Sequence, residues 1–202
     1  MKNKAVIFDL DGTLYDNKYL SFRMMAGGMR HLWKMVAERE GRKELAGRHY
    51  ESPEKVYAAL FGLMAEKLRC KAEEAGNWYH SFYMPLMVRV LEENRRARSW
   101  VRPLLEKLHS EGTVTAVFSD YDYADEKLKA IGLEPSLFDV VTDAFSEGGL
   151  KPCRESFLGV AGKLGMEPAE ILVIGDREDT DGAGAKAAGM QFRILKEGKI
   201  EI

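Results

Sequence analysis

Apolar positions along the chain follow two different rhythms. Short runs rich in β-branched and aromatic residues occupy 6–8, 114–118, 138–141, 171–174 and 191–195. Runs of this length and composition predict strands buried on both faces, as in a parallel sheet. Between the later runs lie amphipathic stretches at 103–111, 123–131, 155–164 and 182–188, each stopped by a glycine at 112, 132, 165 or 189. Helices closed by glycine and alternating with strands predict a doubly wound α/β fold. Residues 17–99 read differently. Leu20, Met24, Leu32, Met35 and Val36 mark a helical face over 19–40, across a Gly27-Gly28 interruption. Ser52-Pro53 is a helix start, and Val56, Leu60, Leu63, Met64 and Leu68 follow at i, i+3/i+4 spacing. A third helical stretch, 78–93, contains Pro85, which kinks or starts a helix. The expectation is a helical insertion at 17–99 between two parts, 1–16 and 100–202, of one α/β core.

Charge follows the same division. Residues 17–99 hold 16 Lys and Arg, 10 Glu and no Asp, a net of +6, against −2 for the whole chain. The remainder therefore carries −8.

Polar residues suited to chemistry stand where the strand-like runs end. Asp9 and Asp11 flank Leu10 after the first run and are followed by Gly12, where the chain can turn sharply. Open α/β sheets place ligands at the carboxyl ends of their strands. Two carboxylates two residues apart in extended chain share a side, and a divalent cation offsets their repulsion. Ser119-Asp120 follows the 114–118 run with a hydroxyl and backbone amides. Lys151-Pro152 follows Gly148-Gly149, and Gly175-Asp176 begins an acidic cluster that continues to Asp179 and Asp181.

In this order the four motifs resemble the haloacid dehalogenase superfamily, in its phosphatase form. The resemblance implies Asp9 as nucleophile and Asp11 as general acid/base. It implies Leu10, Ser119, Asp120 and Lys151 as substrate-binding positions, although many relatives carry Asn where this chain has Asp120. Asp9, Asp176, Asp181 and the Asp11 backbone carbonyl would bind Mg2+, with Asp179 an alternative to Asp181. The helical insertion corresponds to a cap, hinged near 15–18 and 95–100. The implied activity is Mg2+-dependent hydrolysis of a small phosphate monoester through an aspartyl phosphate. A phosphomutase and a phosphorylatable receiver-like module are the competing readings. A dehalogenase is disfavoured, because metal-free dehalogenases of the family lack the acid at Asp11.

Other features narrow the class. An apolar content of 46% and near-neutral charge are those of an ordinary globular protein. No apolar stretch reads as a signal peptide or a membrane span, and a cytoplasmic protein with reduced Cys70 and Cys153 is expected. His31, His49, His80 and His109 show no ligand spacing. Arg95, Arg96 and Arg98 read as a solvated hinge, too brief to suggest nucleic-acid binding. Trp78, Tyr79, Phe82 and Tyr83 read as the core of the cap. Neither the natural substrate nor the oligomeric state is legible.

Overall fold

The computed structural model describes residues 3–196 and 198. Among the described residues five parallel strands, β1 (Ala5–Phe8), β2 (Val114–Ser119), β3 (Val140–Asp143), β4 (Ile171–Gly175) and β5 (Gln191–Ile194), form one sheet in the order β3-β2-β1-β4-β5. β1 lies between β2 and β4, with Phe8 opposite Val117 on one side and Ile174 on the other. Strand β1 is buried along its whole length, as its unbroken apolar run requires. The chain reverses direction across the sheet on either side of β1, so the ends of β1, β2 and β4 open into a common crevice.

Helices α6 (Val101–Ser110), α7 (Ala124–Ala130), α8 (Arg154–Leu164) and α9 (Ala183–Ala187) connect the strands. Between β1 and α6 come α1 (Leu20–Gly27), α2 (Leu32–Leu45), α3 (Pro53–Leu68), α4 (Ala72–Trp78) and α5 (Met84–Asn94). These helices pack on one another, and α5 also packs on α7. One continuous cluster of buried apolar side chains runs from the sheet into this helical region, through Leu14, Tyr15, Tyr79 and Leu91 among others.

Several local expectations need correction. The helical face over 19–40 is two helices, separated by Gly28 and a tight turn at Met29–His31. The 78–93 stretch is not one helix: a wide helical turn at Tyr79–Tyr83 joins α4 to α5, while Pro85 starts a helix as expected, in the first turn of α5, where its missing N–H costs little. The third strand begins at Val140 rather than 138. The Pro135–Leu137 turn holds Phe138 off the ladder, and its ring packs edge-on to Phe8 at 6.3 Å. The 182–188 stretch is a wide turn at Glu178–Gly182 followed by the short α9.

Arg98 is not a solvated hinge residue. Its guanidinium donates to the carbonyl oxygens of Gly12 and Thr13, both at 3.0 Å, and so braces the loop after β1. Of the four aromatics at 78–83, Trp78, Tyr79 and Tyr83 are buried as expected, and Phe82 is half-buried. Both cysteines are free thiols.

Candidate active site

The end of β1 delivers Asp9 into the crevice, and the loop after it delivers Asp11. Gly12 turns the chain with φ at 108°, and its missing side chain leaves room for Asp176: a Cβ there would stand 2.2 Å from Asp176 Oδ2. The ends of β2 and β4 add Ser119 and Asp176, and the turn after β4 folds Asp181 back under Gly175. The loop after β3 brings Lys151 across the sheet.

The two lead acids have separate surroundings. Lys151, buried, donates to Asp9 Oδ1 at 2.8 Å and to Asp181 Oδ1 at 2.7 Å. The other oxygen, Asp9 Oδ2, is buried and has no hydrogen-bond partner among the described residues. Carboxylate atoms of Asp9, Asp176 and Asp181 lie within 4.8 Å of one another. Burial, and then Asp181, push the Asp9 carboxyl up to about 7 against the opposing pull of Lys151. Burial and the nearby Asp9 raise Asp176 to about 6. Burial would lower Lys151, but Asp181 and Asp9 outweigh it and raise it. Crowded, partly uncompensated carboxylates with an unpaired buried oxygen are a donor set that fits a hard divalent cation. Asp179 does not join them: it is exposed and pairs with Arg177 at 2.7 Å.

On the Asp11 side, Tyr15 donates its hydroxyl to Asp11 Oδ1 at 2.6 Å, and Lys127 Nζ lies 2.5 Å from Oδ2. The same ammonium donates to Ser119 Oγ at 2.8 Å. Ser119 has one proton to give, and it faces Tyr121 O at 2.6 Å and Asp11 Oδ2 at 3.1 Å. Burial alone would raise Asp11. Lys127, Tyr15 and Ser119 outweigh it and hold Asp11 below the usual carboxylate range.

The structure thus brings Asp9, Asp11, Ser119, Lys151, Asp176 and Asp181 together. Leu10 lies between the two acids and is wholly buried. Asp120 points away from the acids: Oδ1 accepts the Lys151 amide at 2.9 Å, and Oδ2 pairs with Arg42 of α2. Arg42 also lies 3.9 Å over the Tyr121 ring. Sequence reasoning missed Tyr15, Arg42, Arg98 and Lys127. Nothing in their local pattern sets them apart, and Lys127 looked like one of several charges on an amphipathic helix. It also missed that His49 meets Cys153 and Glu155, with ligand-type atoms within 4.8 Å, because His49 stands far from the other two in sequence.

A model of the haloacid dehalogenase-like hydrolase family matches residues 3–189. The chain belongs to that family. Two relatives cover nearly all of this hydrolase. A glyceraldehyde 3-phosphate phosphatase of Methanopyrus kandleri is 27% identical over 98% of this chain and 86% of its own length. A putative pyrophosphatase PpaX of Clostridium perfringens is 27% identical over 98% of this chain and 88% of its own. Among solved structures, a predicted phosphoglycolate phosphatase from Haemophilus somnus superposes with a TM-score of 0.65 at 21% identity, over 95% of this chain and 84% of its own. The protein is an enzyme, a hydrolase of the phosphatase type. Among the described residues, no helix is long and apolar enough to cross a membrane.

Proposed function

We propose that this hydrolase cleaves small phosphate monoesters by transferring the phosphoryl group to Asp9 and then hydrolysing the aspartyl phosphate. The observation that carries this reading is the asymmetry of Asp9. Lys151 holds one oxygen, while the other is buried, unpartnered and among acids. A carboxylate needs its charge offset before it can attack an anionic phosphate. Lys151 supplies one positive charge at the attacking group, and Asp181 keeps that ammonium in place. Mg2+ bound by Asp9, Asp176, Asp181 and the Asp11 carbonyl would supply further compensation for the phosphate and the acids.

Asp9 Oδ2 attacks phosphorus and the ester oxygen leaves. Ser119 and the backbone amides after β2 orient the phosphoryl oxygens, for which the Ser119 hydroxyl turns from its internal partners. Asp11 carries the proton in each half: Lys127, Tyr15 and Ser119 favour its ionised form, so it takes up a proton before the first half, gives it to the leaving oxygen, and regains one from the water that attacks the aspartyl phosphate.

The helical region, 17–99, serves as a cap over the 1–16 and 100–202 core. Support comes from its contacts beside the site: Arg42 on Asp120, Tyr57 on Asp122, and the Gly47 amide on the Leu150 carbonyl at 3.0 Å. In this closed arrangement Asp9, Lys151 and Asp181 are all but sealed from solvent, so substrate entry requires the cap to swing about 15–18 and 95–100. Its +6 charge over a −8 core favours closure, which excludes bulk water from the acyl phosphate. One relative named above is a glyceraldehyde 3-phosphate phosphatase and the other a putative pyrophosphatase, and a small phosphorylated substrate, in the cytoplasm, is the one proposed here.

The test is steady-state hydrolysis of an aryl phosphate. Chelation should abolish turnover, Mg2+ should restore it, and Asp9→Asn should remove it. Inorganic phosphate released at the wild-type rate by that variant would overturn the nucleophile assignment.

A further inference from the structure

One buried cation has no part in the reaction as described. Lys127 lies in the middle of α7, wholly buried, with its ammonium among Asp11 Oδ2, Ser119 Oγ and, 5.4 Å away, the Tyr121 ring. A buried lysine is costly unless charge and hydrogen bonds compensate it. Here both partners are residues of the reaction centre: the acid/base carboxylate and the hydroxyl meant for the phosphate. They come from different strand ends, β1 and β2, and Lys127 contacts both. Tyr15 grips the other oxygen of Asp11, so the carboxylate is held at both ends.

We infer that Lys127 is a positioning residue for phosphoryl transfer, fixing Asp11 and Ser119 relative to each other and supplying the Asp11 side with its own positive charge. The inference rests on the reading of Asp9 and Asp11 given above. A purely structural account treats the Lys127–Asp11 pair as a stabilising contact. Buried ion pairs are poor stabilisers compared with apolar packing of the same volume, so that account predicts little kinetic effect once folding is preserved. A role in positioning predicts a loss in kcat, because a displacement of about 1 Å in a reacting group can cost on the order of 100-fold.

The experiment compares Lys127→Met, Lys127→Arg and Leu128→Ala in the full chain with Mg2+. Leu128, next in sequence and buried in the apolar core, serves as the stability control. Lys127→Met should lower kcat about 100-fold with KM changed by less than about threefold. Lys127→Arg keeps the charge but not the compact ammonium, and should recover part of the loss, to about tenfold below wild type. Leu128→Ala should lose stability yet keep kcat within about twofold. The inference falls if folded Lys127→Met keeps wild-type kcat, or if Leu128→Ala loses kcat as severely. Should Lys127→Met not fold, Lys127→Arg decides: wild-type kcat in that variant overturns the assignment. Wild-type protein without Asp9-dependent turnover would instead overturn the proposed function itself.

Discussion

The Asp9 and Asp11 halves of the site are built from the same parts and left in different states. Each pairs a carboxylate with a buried lysine; Asp9 is itself buried and Asp11 is partly exposed. Lys151 serves two acids, Asp9 and Asp181, with Asp176 close by, so negative charge exceeds positive and one Asp9 oxygen has no partner. Lys127 pairs with one acid, and Tyr15 and Ser119 complete that acid's hydrogen bonds. On the proposed reading the first half takes a cation and an electrophile; the second is already compensated. The same pair of residue types thus leaves a carboxylate short of positive charge or braced by it, depending on how many acids share the ammonium.

The largest expected effect breaks the first half. Asp9→Asn should lower kcat by about 10⁴-fold or more, the scale seen when a nucleophile is removed. Without metal at pH 8 it should be at least as stable as wild type, since it removes a crowded, buried charge while Lys151 keeps Asp181. Thermal melting checks this. Asp11→Asn is the counterpart in the second half. Loss of the acid/base group should lower kcat by roughly 10²–10⁴-fold, and its melting temperature should fall, because Lys127 loses the carboxylate paired with it. Equal shifts in the two variants would dissolve the distinction between the halves.

A smaller effect probes the link between the helical region and the strand ends. Arg42→Ala should cost about 2 kcal/mol, or roughly 4–8 °C in melting temperature, by leaving Asp120 without its cation. The smallest effect is a pH slope. Burial raises the Glu38 carboxyl to about 7, with Arg42 and Tyr83 opposing, and Asp9 is shifted the same way. A carboxyl raised on folding stabilises the folded state when protonated, and that contribution is lost as pH rises through the folded value. Metal-free protein should therefore melt higher at pH 6 than at pH 8. Glu38→Gln should flatten part of that slope; an unchanged slope would remove Glu38 from the account.

Legibility in the sequence followed the range of the interaction. Asp9, Asp11, Ser119, Lys151 and Asp176 could be found because each terminates a short apolar run or follows a glycine pair, a pattern written within a few residues. Phe138 was misplaced because the Pro135 turn and a contact with Phe8, on a distant strand, decide where β3 begins. Arg98 looked like part of a solvated basic run, and only the approach of 95–98 to the loop after β1 gives it two carbonyls. Lys127 was illegible for the same reason.

By itself the sequence determined the alternation of strands and helices, the helical character of 17–99 and the acids at the strand ends, because periodicity and turn chemistry are local properties of the chain. Only the tertiary structure decided which charges meet. Asp181 rather than Asp179 faces Asp9, Asp120 turns to Arg42, and Lys127 reaches Asp11 across 116 positions of sequence. Burial makes such encounters matter, since a charge removed from water must find its partner wherever the fold brings one.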